Sequence, residues 1–185
     1  MKIGVYGSAS GKISEVVRNK ARIIGQQIAL RGHDLITGAC CGLPYDAVVA
    51  ACQVHNRKGK IIGYSPAISL AEHKKFEMPT DGFDIINFID EIYIDLPKSS
   101  RFKLRNVLSV NACDTAVFIA GGIGTTNEFT DAYDLGKNIG ILLNTGGFSD
   151  LAKEIVDALG REKNLRVVYS TNPKKLIGTL ENEHK

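Results

Sequence analysis

Three glycines, a threonine and a glutamate follow one strongly apolar run in Val117-Phe-Ile-Ala-Gly121-Gly-Ile-Gly-Thr125-Thr-Asn-Glu128. A buried strand that passes through Gly121, Gly122 and Gly124 into a helix leaves backbone N–H groups without intrahelical partners, at the end where the helix dipole favours an anion. With no Cβ in the way, a phosphate can approach that backbone, and the Thr125 hydroxyl adds a donor. The competing reading is a tight turn in which Thr125-x-x-Glu128 forms a capping box. Three glycines directly after an apolar strand favour the phosphate.

Two better-known phosphate motifs fail. The dinucleotide fingerprint would place a glycine where Asn127 stands, and the acid expected after the next strand is missing, because Leu143 is followed by Asn144. The P-loop pattern fails around Gly11-Lys12, where Tyr6 and Ile13 occupy the required Gly and Ser/Thr positions. A nicotinamide enzyme and an ordinary ATPase are therefore disfavoured.

Arg101 and Arg105 lie one turn apart in a helix expected over Ser99–Ala112, capped by Ser99 or Ser100. Two cations near a helix N-terminus oppose the dipole, which makes sense if an anion sits between them. Lys98 and Lys103 read as a solvated basic face. Ser8 and Ser10 in the first glycine turn are candidate phosphate or ribose contacts, and Gly42 belongs to the second turn, Gly38-Ala-Cys-Cys-Gly42. Cys40-Cys41 does not read as a redox pair, since nothing nearby would lower a thiol pKa. The stretch His73–Lys75 reads as solvated.

These residues need a scaffold, and the pattern supplies one. Short apolar runs at Ile3–Tyr6, Asp34–Thr37, Lys60–Tyr64, Thr115–Ala120, Ile139–Leu143 and Arg166–Tyr169 alternate with helical periodicity over Lys12–Arg31, Pro44–His55, Ser99–Ala112, Thr125–Gly136, Asp150–Leu159 and Asn172–Leu180. Ile85–Phe88 and Glu91–Asp95 read as short extended pieces, and Ser65–Gly82 as a surface loop or lid. Alternation of this kind implies a parallel sheet covered on both faces. Barrel closure needs ~250 residues, so the 185 residues fit one domain, α/β, an open doubly wound parallel sheet in a Rossmann-like three-layer sandwich. Ligands bind such sheets at the carboxyl ends of the strands, where all three glycine turns fall.

Composition narrows the classes further. A net charge of +3, spread along the chain, argues against nucleic acid as a partner, which calls for a concentrated basic face. No apolar run approaches the ~18 residues of a membrane span, and the first residues form a strand pattern without a signal peptide's apolar region. Cys40, Cys41, Cys52 and Cys113 lack metal-ligand spacing, as do the four histidines. The thiols read as reduced and mostly buried, pointing to the cytoplasm.

The stretch Arg105–Glu128 resembles the LOG family, the cytokinin-activating phosphoribohydrolases often misnamed lysine decarboxylases. Arg105 matches the family's arginine, and Gly121, Gly122, Gly124, Thr125 and Glu128 match its P-G-G-x-G-T-x-x-E motif. Val5-Tyr-Gly-Ser8, Ala29-Leu-Arg-Gly32 and Gly38-Ala-Cys-Cys-Gly42-Leu43 extend the likeness over about the first three-quarters of the chain. Ala120 stands where the motif has Pro, Asn127 where an acid is common, Lys103 where a histidine is usual, and Pro44 where a methionine is. The resemblance implies cleavage of the N-glycosidic bond of a nucleoside 5′-monophosphate, releasing base and ribose 5-phosphate. It assigns Arg105 and Glu128 as the catalytic pair and the glycine turn as the phosphate site, with no cofactor or metal and with a homodimer. Non-hydrolytic relatives, including molybdenum-cofactor carrier proteins, share the scaffold, so a carrier that holds a phosphate-bearing ligand without turnover is the second reading.

Overall fold

The computed structural model describes residues 1–160 and 164–183. Seven parallel strands form one sheet: β1 (Lys2–Gly7), β2 (Asp34–Thr37), β3 (Ile61–Ser65), β4 (Ile85–Phe88), β5 (Thr115–Ile119), β6 (Asn138–Leu142) and β7 (Val167–Ser170). Their order across the sheet is β4-β3-β2-β1-β5-β6-β7. The chain winds outward from β1 to β4, then crosses back to place β5 on the other side of β1. The winding therefore reverses between β1 and β5, the place where such sheets open a crevice at their carboxyl ends.

The helices are α1 (Glu15–Leu30), α2 (Leu43–Cys52), α3 (Leu70–Lys75), α4 (Lys98–Asn111), α5 (Ile123–Asp134), α6 (Phe148–Leu159) and α7 (Pro173–Glu183). Side chains alternate across β5, so Val117 and Ile119 face one layer while Ala116 and Phe118 face the other. The first layer is α1, α2 and α7, whose Ile24, Ile28, Ala47 and Leu176 are fully buried. The second is α4, α5 and α6, where Phe118, Phe129 and Phe148 pack with ring centroids 4.8–6.1 Å apart. The expected open, doubly wound Rossmann-like sandwich is what the chain forms, because nearly every strand residue near the centre is apolar and must be covered on both faces.

Local expectations need five corrections. Ser65–Gly82 is not a bare loop: it contains α3, started by Ser69, whose Oγ accepts from the Glu72 backbone N–H. His73 is not solvated but fully buried. Its Nδ1 lies 2.8 Å from Ser65 Oγ and its Nε2 3.0 Å from the Pro79 carbonyl oxygen. Both ring nitrogens therefore have partners within the protein. Glu91–Asp95 is not extended: Glu91–Tyr93 makes a single 3₁₀ turn, with Asp90 accepting from the Ile92 N–H. Helix α4 begins earlier than expected, at Lys98 behind Pro97, with neither Ser99 nor Ser100 as its cap. Of the cysteines only Cys113 is buried; Cys41 and Cys52 are exposed. Among the described residues no helix is long and apolar enough to cross a membrane.

Candidate active site

Helix α5 starts at Ile123 with Gly122 as its N-cap, and no side chain caps it. Ser14 caps α1, whereas α6 has no side-chain cap and its first N–H groups, of Phe148 and Ser149, donate to the Gly121 and Ala120 carbonyl oxygens. Thr125 is thus the third residue inside α5, not its cap, and Glu128 cannot reach back to a cap position. The capping-box reading fails, and Glu128 is left with another reason to be there.

The turn before α5 is tied from three sides. Ala120 takes a left-handed conformation (φ 53), which a proline cannot adopt. Its N–H donates to Thr145 Oγ1 at 2.9 Å, and its carbonyl accepts from the Ser149 hydroxyl at 3.0 Å and the Ser149 N–H at 3.1 Å. The alanine in place of the motif's proline therefore belongs to a different way of holding the turn. Gly121 follows at φ 101, where a Cβ would meet the Thr125 side chain at 2.4 Å, and its N–H donates to Ser8 Oγ at 3.0 Å. By contrast, a Cβ on Gly122 or Gly124 would meet nothing within 4 Å. Internal packing does not require those two glycines; they keep the space in front of the helix open. Replacing Gly124 with Ala is expected to raise stability by roughly 0.5–1 kcal/mol, since Ala favours a helix over Gly, while weakening phosphate binding. Chemical denaturation and calorimetric titration with inorganic phosphate would separate the two effects.

That space is a cleft of about 530 Å³ lined by Gly7, Ser8, Ala9, Ser10, Cys40, Phe102, Lys103, Arg105, Asn106, Gly121, Gly122, Gly124, Thr125 and Glu128, within the range of small-ligand sites. It lies at the β1/β5 reversal. Arg105 and Glu128, singled out from the sequence, meet here together with Ser8, Ser10, Thr125 and the three glycines. Gly42 does not line the cleft; at φ 79 it backs the first turn, where a Cβ would lie 2.2 Å from the Ser8 carbonyl oxygen.

Arg101 is also elsewhere. Its guanidinium makes a two-pronged pair with Glu72, both contacts 3.0 Å, and lies over the Phe76 ring beside Lys98. The cation that seemed to await a ligand has its two terminal nitrogens paired within the protein, although its buried Nε has no partner, and it clamps α3 to α4. Arg101 holds the Glu72 carboxyl below its usual range. The pair therefore stabilises the fold above about pH 4.5 and loses that effect as pH falls through the lowered value. Glu72→Ala leaves a buried guanidinium unpaired and is expected to cost about 2–3 kcal/mol at pH 7, a loss that narrows at pH 3 in urea denaturation.

Arg105 and Glu128 are different. Both are buried, 5% and 8% exposed. Arg105 Nε and Nη1 have no hydrogen-bond partner, and its side chain rests on the backbone of Gly38, where a Cβ would lie 1.2 Å from Nη1. Burial pushes the Glu128 carboxyl up to about 7, against the pull of Arg105; Asp131 adds to the rise and Lys103 opposes it. The half-buried Cys40 borders the same cleft, and desolvation holds its thiol above the ordinary value despite Arg105. The residue missed by sequence reasoning is Asn106, 4% exposed, whose Nδ2 donates to Asn127 Oδ1 at 2.9 Å.

Fold and cleft together define a Rossmann-like α/β architecture with a cleft at its switch point. The family model of the SLOG cluster4 family matches residues 1–177, and the chain belongs to that family, a LOG-like one in keeping with the motif read from Arg105–Glu128. No curated protein sequence matches it. Among solved structures, the structural-genomics target TM1055 superposes with a TM-score of 0.78 at 18% identity, covering 98% of both chains. The molybdenum cofactor binding protein of Rippkaea orientalis gives 0.76 at 23%, over 100% of this chain and 97% of its own. The DNA processing protein A of Helicobacter pylori, a single-stranded DNA binder, gives 0.68 at 18%, over 99% and 81%. At these identities the likeness is one of fold.

Proposed function

We propose that the protein hydrolyses the N-glycosidic bond of a nucleoside 5′-monophosphate, releasing base and ribose 5-phosphate. The observation that carries this reading is Glu128: a buried carboxyl held at about 7, beside an arginine with unpaired N–H groups, in the cleft that opens on an uncapped helix N-terminus. The N-terminus of α5 takes the phosphate, with the Ser8 and Thr125 hydroxyls as further donors. The sugar then lies toward Arg105 and Glu128. As the bond to the base breaks, positive charge grows on the ribose ring, and the ionised Glu128 offsets it directly or by activating the water that adds to C1′. The departing base takes up a proton, and Arg105 holds the substrate or assists that departure. A homodimer belongs to this reading through the family resemblance, with exposed Val107 and Leu108 on α4 as apolar surface for the contact.

The test is incubation of the protein with common nucleoside 5′-monophosphates and isopentenyl-AMP, following free base by chromatography beside a Glu128→Gln variant. Release by the parent and not by the variant supports the hydrolase. Release by neither, with phosphate-bearing ligands still raising the melting temperature, moves the function to the second reading: a carrier of a nucleotide-like or pterin ligand, as the cofactor-binding structural neighbour suggests.

A further inference from the structure

Asn106 occupies an unusual place in the cleft. It follows Arg105 on α4, and its anchor Asn127 precedes Glu128 on α5, so the two carboxamides bridge the helices that carry the proposed pair. Its nitrogen is committed to Asn127 Oδ1, which fixes the plane of the amide and turns its oxygen the other way. That Oδ1 is buried and has no partner. Buried polar atoms in folded proteins are almost always hydrogen-bonded, and an acceptor left bare in a cleft wall is matched by a donor on what fills the cleft.

Among the residues lining the cleft, the other unpaired atoms, Arg105 Nε and Nη1, are donors. A ligand that complements this wall therefore presents acceptors to Arg105 and at least one neutral donor to Asn106. A phosphate group at neutral pH offers acceptors, so the donor must come from another part of the molecule. Placed between the phosphate end of the cleft and the residues acting at C1′, that part is the sugar.

We infer that Asn106 is a specificity-determining residue whose Oδ1 accepts a hydrogen bond from a ribose hydroxyl, selecting ribose over deoxyribose phosphates. The inference rests on the nucleoside-phosphate reading of the cleft, and it explains why a neutral amide, tied by a second neutral amide, stands there. Sites built to bond a substrate hydroxyl discriminate strongly against the analogue that lacks it, because the buried partner is then left bare.

Calorimetric titrations with ribose 5-phosphate, 2-deoxyribose 5-phosphate, 3-deoxyribose 5-phosphate and inorganic phosphate test this without needing turnover. Ribose 5-phosphate is expected to bind ~10–100-fold tighter than at least one deoxy sugar. Asn106→Ala and Asn106→Leu, one reducing volume and one retaining it, close that gap. Equal binding of all three sugars, or a gap that survives in either variant, overturns the assignment while leaving the phosphate site standing. If neither the sugars nor inorganic phosphate bind, the reading of the cleft fails and the inference goes with it.

Discussion

Glu128→Gln is expected to make the protein more stable while abolishing its proposed chemistry. A carboxyl held near 7 instead of 4.5 binds more protons in the folded state than in the unfolded chain between those values, so stability falls as pH climbs through that window. Above pH 7 the ionised group costs the fold about 3 kcal/mol; at pH 5, where folded Glu128 is still protonated, the cost is under about 1 kcal/mol. Glutamine carries the same shape without the ionised form. The variant should melt higher than the parent by ~5–10 °C at pH 8 and by little at pH 5, as calorimetry would show. Base release should fall by ~10²–10⁴. The parent's kcat/KM should rise with pH toward a plateau above about 7, because the ionised carboxylate is the working form. A variant that loses stability equally at both pH values would instead make Glu128 an ordinary structural group.

The same four-residue pattern behaves differently at two places in this chain, and the contrast marks where sequence reasoning stops. Ser69-x-x-Glu72 does start a helix: Ser69 Oγ accepts from the Glu72 N–H, and Glu72 reaches back to the Ile68 N–H at 2.9 Å. At six residues, however, α3 is too short for an apolar period to register, and Pro66 and Pro79 make the segment look irregular. Thr125-x-x-Glu128 has the same spelling but does not cap, because the glycines let α5 begin two residues earlier. Hydropathy reveals the sheet since central strands are apolar on both faces. It says nothing of which cation finds a partner. Arg101 and Arg105 share a helix face, yet only Arg101 meets a carboxylate, that of Glu72 from a segment about thirty residues away. Asn106 was missed for the same reason: its significance lies in Asn127 on another helix, a pairing no local pattern records.

Gly38→Ala should leave the fold nearly intact and disable the cleft. The added Cβ would lie 1.2 Å from Arg105 Nη1 and 2.5 Å from its Cζ, so the guanidinium must leave its cradle. It is the far end of a flexible side chain, and the backbone around Gly38 has no need to follow. Misplacing a positioned group by about an ångström costs ~10²-fold in rate, so kcat/KM for base release should fall by about that factor with the melting temperature nearly unchanged. Arg105→Ala should fall at least as far. The decisive comparison is the pair: if Gly38 acts only by cradling the arginine, adding Gly38→Ala to Arg105→Ala changes nothing further, whereas independent effects multiply. Multiplication would mean that Gly38 touches the ligand itself. Non-additivity would trace catalysis from a missing methyl at the end of β2, through the arginine lying on it, to the sugar.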